Sequence, residues 1–326
     1  MTKSVVSRIM NDDRSLRIRP ETRERVKAVA EELGYRPHAG ARALSVSRSG
    51  AFALLIPDLT NTVYAAIMRG AFRRAKEYGY VLLIAEDSPD TPAGPDDYAE
   101  LVVTGRVDGL LVASARPGNP LVDRLMQDPA SVAHVFVNRE VEGSGRNVGL
   151  DMHGASGLAV DYLHSHGHRA IGLTAGPPDL QPARSRREGF VDRMKSKGLD
   201  ASRIEHGEFS ERGGFEATNE LLTAHPELTA IYASTFGQAV GALKAARERG
   251  LRVPEDLSLI GYDDLSVAEY LDPPLTTVAM PLDALGVAAV DALVEQLATQ
   301  KPAGHRLPDG YRVVERKSVA ALRVMS

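Results

Sequence analysis

Beyond residue 50 the chain alternates between short apolar runs and longer amphipathic stretches, and this alternation restricts the fold more than any other property of the sequence. Strand-like runs stand at 53–56, 81–84, 110–112, 135–137, 170–173, 230–232 and 257–260. Helical periodicity fills intervals at 64–78, 155–166, 186–197, 215–222 and 240–249. Strands that are apolar throughout are buried on both faces. Alternating with helices, they predict α/β architecture: parallel, doubly wound sheets with right-handed crossovers. The roughly 276 residues involved exceed what one such sheet usually holds, so two similar lobes are expected.

Ligands of doubly wound sheets sit beyond the carboxyl ends of the strands. Reading those ends off the chain gives Asp58 and Asn61, Glu86 and Asp87, Ser114, Asn138 and Arg139, Phe209, Ser234 and Thr235, then Asp263 and Asp264. Each residue alone is more often a turn former or a helix cap. Their recurrence at successive strand ends points to a cleft of carboxylates, amides and an arginine, suited to a small polar ligand.

The first 35 residues are of another kind. Val5, Val6, Ile9 and Met10 recur at helical spacing, while Lys3, Ser4, Ser7, Arg8 and Asn11 crowd the opposite side. Short donors and an arginine on one helical face are the side chains that reach phosphates and base edges in a major groove. A second helix is expected from Pro20, with a stripe at Val26, Val29, Ala30 and Leu33 and a stop at Gly34. Two ordinary amphipathic helices capping a domain would give the same pattern. Charge favours the first reading: residues 1–48 carry eleven Lys or Arg against six Asp or Glu, a net +5 on a chain of net −4, leaving −9 for the rest. A basic head on an acidic body suits a head that meets a polyanion. A linker rich in Arg, Ala, Ser and Gly spans 36–50, with a short helix expected around Ala39–Leu44 only in a complex.

Other chemistries fare poorly. The chain has no cysteine, which removes disulfides, thiolate nucleophiles and zinc–sulfur sites. No run reaches the roughly 18 apolar residues of a membrane span, and the basic N-terminus lacks a signal peptide's apolar segment. His164, His166 and His168 suggest a metal cluster, but alternate residues at a helix end splay apart; His168 fits better in the turn entering the next strand. Asp263–Asp264 and Glu86–Asp87 lack a nucleophile or cofactor motif beside them, Gly143 and Gly145 lack a strand–GxGxxG–helix setting, and no phosphate loop occurs.

In order along the chain, VVSRIMND, PETRERVKAVAEELGYRPHAGARAL, ALLIPDLTNTVYAAI, VDGLLVAS, VNR, HGASGLAVDYLHSHGHRAIGLTAGP, ARSRREGF, GLRVPEDLSLIGYDD and LDPPLTTVAMPLDALG resemble the LacI/GalR family of bacterial transcriptional repressors, almost end to end. The resemblance implies a helix-turn-helix head at 1–35, a hinge at 36–50, and a periplasmic-binding-protein-like effector and dimerisation domain at 51–326. Its first lobe is expected at about 51–150 plus 281–308, its second at about 151–280 plus 309–326. Lys3, Ser4 and Arg8 match base-facing positions, Ser7 and Asn11 lie near phosphates, and His38 joins the same DNA-binding set. Leu44 matches the leucine that wedges into the minor groove. In the cleft, Tyr64, Asn138, Arg186, Phe209 and Asp263 match ligand-contacting positions; Asp58, Asn61, Arg139, Thr235 and Phe236 complete the expected effector set.

The chain also departs from that pattern. Family members begin with a further helix, and Met1 stands about where the turn should be, so a misplaced start or truncation, with weak specific DNA binding, is expected. Val5 replaces a hydroxyl residue and Arg19 a capping serine. Ser234, Thr235 and Phe236 stand in place of Ser-Asn-Asp, which predicts a less hydroxylated or more apolar ligand than a typical sugar. The resemblance implies a cytoplasmic, non-enzymatic, dimeric repressor of double-stranded operator DNA. Its effector would be a sugar or related metabolite, with no cofactor or metal. A stand-alone solute-binding protein of the same fold is the alternative, explaining the cleft but not the basic head.

Overall fold

Six strands make the first sheet: β1 (Ala51–Ile56), β2 (Val81–Glu86), β3 (Gly109–Val112), β4 (His134–Val137), β5 (Asn147–Gly149) and β11 (His305–Arg306), in the order β11-β5-β4-β3-β1-β2. A second sheet follows from β6 (Ile171–Ala175), β7 (Ile204–His206), β8 (Ala230–Ala233), β9 (Ser258–Tyr262), β10 (Thr276–Ala279) and β12 (Arg312–Val314), in the order β12-β10-β9-β8-β6-β7. Position by position the two orders are the same, each a doubly wound 2-1-3-4-5 sheet with one added edge strand. These elements come from a computed structural model that describes residues 2–10, 16–33, 48–87, 97–308 and 310–322.

The central strands are enclosed on both faces, as their unbroken apolar runs predict. In β1, Leu54 and Ile56 join a core with Leu111, Val135 and Val137, while Ala53 and Leu55 face the other way into a cluster with Leu110, Val112 and Phe136. Each fully buried side chain of this kind contributes about 1.5–3 kcal/mol of transfer free energy. On the first sheet α3 (Val63–Glu77) packs along α10 (Leu282–Thr299). Their backbones approach at glycines: a Cβ on Gly70 would lie 2.0 Å from the Asp283 carbonyl, and one on Gly286 2.0 Å from that of Ile67. On the second sheet α6 (Met152–Ser165) pairs with α7 (Gln181–Ser196), and α8 (Glu211–Ala224) with α9 (Phe236–Glu248). Two shorter helices, α4 (Asp97–Val103) and α5 (Pro120–Gln127), flank the first sheet.

The expectation of purely parallel sheets needs one correction. β12 pairs antiparallel with β10, Val278 opposite Val313, whereas the other pairings are parallel. β11 ends at the carboxyl edge of the first sheet, and the chain crosses straight from there to the carboxyl edge of the second. The strand it then forms has to run backwards.

At the N-terminus α1 (Lys3–Met10) packs on α2 (Pro20–Glu32). Ile9 is completely enclosed, so this residue keeps a packing environment, while Val5, Val6 and Met10 are half-buried. Arg19 forms no side-chain cap ahead of Pro20. The predicted stripe on α2 is only partly covered: Ala30 is buried, but Val29 and Leu33 are 46% and 76% exposed. Among the described residues, α1 is the helix that packs on α2, and its single face does not span the stripe. Gly34 and, of the hinge expected at 36–50, residues 36–47 with Leu44 lie outside the described residues.

Candidate ligand-binding cleft

Between the carboxyl edges of the two sheets lies a cleft of about 460 Å³, within the range of small-molecule sites. On the first-lobe side the turn after β1 is built by side chains. Asp58 Oδ1 accepts from Thr60 N at 2.7 Å and Thr60 Oγ1 at 2.6 Å, and Asn61 Oδ1 accepts from Val63 N at 3.2 Å at the start of α3. Tyr64, one residue into that helix, is buried, and its hydroxyl accepts from Arg139 Nη2 at 3.2 Å. Asn138 ends β4 with a φ of 56°, and its N–H donates to Val148 O at 3.0 Å.

The second lobe presents α7 and the ends of β7 to β9. Arg186 is 5% exposed; its Nη1 donates to Ser234 O at 2.8 Å, and its guanidinium lies 4.1 Å from the Tyr262 ring centroid and 5.7 Å from that of Phe209. Gly176 makes room for Phe209, since a Cβ there would come within 2.0 Å of its ring. Asp263 follows β9 with a φ of 68°; it is 1% exposed, and neither carboxylate oxygen has a hydrogen-bond partner. Burial pushes this carboxyl up to about 6, against the opposing pull of the Arg186 charge. An enclosed carboxylate with no donors of its own carries the desolvation penalty of an unmade hydrogen bond, which a ligand with N–H or O–H groups would relieve.

The structure brings Asp58, Asn61, Tyr64, Asn138, Arg139, Arg186, Phe209, Thr235 and Asp263 together in one lining. Phe236 is not part of it. As the first residue of α9 it turns into the apolar cluster with Leu221, Ala239 and Leu243, while Thr235 caps that helix by accepting from Gln238 N at 3.2 Å. Four residues of the strand-end inventory, Asp87, Ser114, Ser234 and Asp264, also stand aside. Asp87 takes Ser114 Oγ at 2.6 Å and Asn119 Nδ2 at 2.8 Å; Asp264 takes Thr277 Oγ1 at 2.7 Å and Arg316 Nη1 at 2.8 Å. Those carboxylates are satisfied by the fold. Glu86, Glu208, Ser210, Leu180 and Pro182 line the cleft as well; Glu208 and Ser210 flank Phe209 and share its strand-end signal.

Elsewhere, His168 lies between Thr229 Oγ1 and Ala320 O, each at 3.0 Å, holding the turn into β6. Among the described residues no group of three or more His, Cys, Asp or Glu is placed to hold a metal ion. No described helix is long and apolar enough to cross a membrane. On the head, Arg8 is exposed on α1, the helix that also carries Lys3, Ser4 and Ser7. The side chains of those three, with Asn11 and His38, lie outside the described residues.

Residues 1–38 match the bacterial regulatory proteins of the lacI family, and residues 160–319 match the periplasmic binding protein-like domain. The HTH-type transcriptional repressor CytR of Escherichia coli (strain K12) is 32% identical over 325 residues, 98% of this chain and 93% of the relative. The ribose operon repressor of the same strain is 32% identical over 300 residues, 91% of this chain and 90% of its own. Among solved structures, the lac repressor dimer bound to operator and the anti-inducer ONPF superposes with a TM-score of 0.83 at 25% identity, covering 98% of this chain and 95% of that one. A transcriptional regulator CelR–cellobiose complex gives 0.75 at 28%, covering 96% and 94%. The order of the sheets, the cleft between them and this end-to-end similarity place the chain in the lacI family of bacterial regulatory proteins.

Proposed function

We propose that this protein is a cytoplasmic, ligand-responsive transcriptional repressor that binds double-stranded operator DNA as a homodimer and acts by binding, not catalysis. The observation that carries the effector half is Asp263: an enclosed carboxylate with both oxygens unpartnered, lining a cleft shared by two lobes. The DNA half rests on the lacI-type head and on relatives named as repressors, one solved as a dimer on its operator. Base and phosphate contacts are assigned to Lys3, Ser4, Ser7, Arg8, Asn11 and His38, the minor-groove wedge to Leu44, and effector contacts to the nine lining residues above, without Phe236.

The same cleft narrows the effector. Its lining holds four carboxylates, Asp58, Glu86, Glu208 and Asp263, against two guanidiniums, Arg139 and Arg186. Both guanidiniums already donate, to Tyr64 and to Ser234. A phosphate or carboxylate entering this field meets net repulsion. Pro57, Val63, Leu180, Pro182 and the Phe209 and Tyr64 rings supply flat apolar walls. The effector is therefore an uncharged or cationic, donor-bearing metabolite, a sugar or nucleoside more apolar than a plain hexose. Closure of the lobes on it resets the linkers of the dimer, an energetic coupling of two sites.

A melting screen tests this with neutral sugars, nucleosides and amines, each beside its phosphorylated partner, followed by gel shifts on DNA flanking the protein's own gene. A non-anionic compound should stabilise the protein and alter its retention on DNA. Tighter binding of the phosphorylated partners would overturn the charge argument. DNA retention indifferent to every stabilising compound would overturn the regulatory reading.

A further inference from the structure

We propose that Asp108 is the anchor by which the first lobe grips the end of the linker, a positioning residue for the DNA-binding head that touches neither DNA nor effector. The inference rests on reading the protein as a DNA-binding regulator. Its evidence lies at the pole of the first lobe opposite the cleft, where residues 48–50 enter β1.

There the Asp108 carboxylate accepts hydrogen bonds from two consecutive linker residues. Oδ1 takes Ser49 N at 2.7 Å and Ser49 Oγ at 2.9 Å, and Oδ2 takes Gly50 N at 3.0 Å. The backbone closes the clamp from both sides. Asp108 N donates to Ala51 O at 2.7 Å, and Val81 N donates to Gly50 O at 2.8 Å. Gly50 turns the chain with a φ of +71°, a left-handed conformation that glycine adopts without strain. A carboxylate satisfied three times by one dipeptide has a defined geometry, because both of its oxygens are committed at fixed distances.

The location gives the clamp its consequence. Asp108 immediately precedes β3, the strand that pairs with β1, with Ala53 opposite Leu110. The far end of β1 leads into Asp58, Asn61 and Tyr64 on the cleft wall. A six-residue strand spans about 20 Å as a stiff element. The cleft wall and the linker exit are thus opposite ends of one strand, and Asp108 removes the slack at the exit. A rotation of the first lobe on ligand binding then carries residues 48–50 with it. With the clamp removed, those residues reorient independently and the rotation is not delivered to the head.

The absence of native cysteine permits a direct test on the full chain. Arg48→Cys creates a single site for a nitroxide label at the exposed end of the linker, and Lys195→Cys on α7 provides a remote control. The label at 48 should be slow in the parent protein, several-fold faster with Asp108→Ala, and intermediate with Asp108→Asn, which retains one acceptor oxygen. The control label should stay unchanged, and the melting temperature should fall by no more than about a few degrees. The affinity of Asp108→Ala for DNA flanking the gene should fall about tenfold, with partial recovery in Asp108→Asn. Unchanged mobility at 48 overturns the anchor. Raised mobility with unchanged DNA affinity overturns its positioning role. A parent protein that ignores DNA altogether refutes the regulatory reading instead, while the mobility result still decides the anchor.

Discussion

At the carboxyl end of β4 the first lobe presents Asn138 with a φ of 56°, and at the matching end of β9 the second presents Asp263 with a φ of 68°. Both N–H groups donate across 3.0 Å to the neighbouring strand, to Val148 O and Val278 O. Left-handed backbone at a non-glycine residue is costly, of order 1 kcal/mol or more, so its occurrence at both matching positions marks a repeated device for aiming a side chain into the cleft. The side chains so aimed differ. In the first lobe a neutral amide sits beside Arg139, which is already bonded to Tyr64. In the second an acid is enclosed with no donor on either oxygen. The first wall leaves one buried guanidinium nitrogen unmet, Arg139 Nε, whereas the second leaves Arg186 Nε and both oxygens of an enclosed acid unmet. Binding free energy should therefore come mainly from the second lobe, with the first supplying shape.

The sharpest way to break that contrast is to delete each side chain. A hydrogen bond to a charged group contributes about 1.5–3 kcal/mol and a neutral one about 0.5–1.5. In calorimetric titrations with a stabilising compound, Asp263→Ala should weaken binding about 100-fold and Asn138→Ala about three- to tenfold. Equal losses would abolish the distinction. The pH dependence has a definite sign. Asp263 in the folded protein keeps its proton up to about pH 6, above its value of 3.8 in the unfolded chain, so its contribution to stability falls as pH rises from about 4 through 6. Ligand donors favour the ionised form, so affinity should increase as pH rises through 6.

Next in size is a difference at the opposite ends of the sheets. His134 opens β4 fully buried, with Nδ1 bonded to Val132 O at 2.7 Å and Nε2 unpartnered, and burial pushes it down to about 4. In the second lobe His168, in the turn ahead of β6, is also lowered by burial, but both its nitrogens are bonded. A histidine depressed in the folded state gives stability that is lost as pH falls from about 6.5 toward 4. The His134 shift implies a loss of about 2 kcal/mol between pH 7 and 5. Urea unfolding at the two pH values should show His134→Asn flattening this slope by that amount, and His168→Asn by less.

The smallest effect concerns the wall itself. Gly176→Ala places a methyl against the Phe209 ring, whose free edge can swing away from Arg186. Ligand affinity should fall several-fold with little change in melting temperature. A large loss of stability would show that the ring cannot yield.

Legibility in the sequence followed burial. Strands enclosed on both faces, such as β1, β3, β4 and β8, read as unbroken apolar runs. The short strands β5, β7, β11 and β12 are two or three residues long and carry polar residues, so their runs are too short to stand out. α10 escaped for the opposite reason. LDALGVAAVDALVEQLAT is apolar nearly all round, and its buried stripe at Leu282, Leu285, Ala289 and Leu293 has little polar contrast. In the cleft, strand ends located Asp58, Asn138 and Asp263, but the rule does not separate a carboxylate open to ligand from one the fold has already satisfied. Asp87 and Asp264 look identical to Asp263 in sequence, and their partners, Asn119 and Arg316, are distant along the chain. Phe236 misled because, three residues past the end of β8, it is already inside a helix facing the core.

The most direct test follows the anisotropy of a labelled operator duplex, with parent protein and Asp263→Ala, as a cleft-binding compound is added. The account predicts at least a tenfold change in DNA affinity for the parent protein. Asp263→Ala should hold DNA as well as the compound-free parent yet show no response at compound concentrations that saturate the parent. An equal response from both proteins, or none from either, would contradict it.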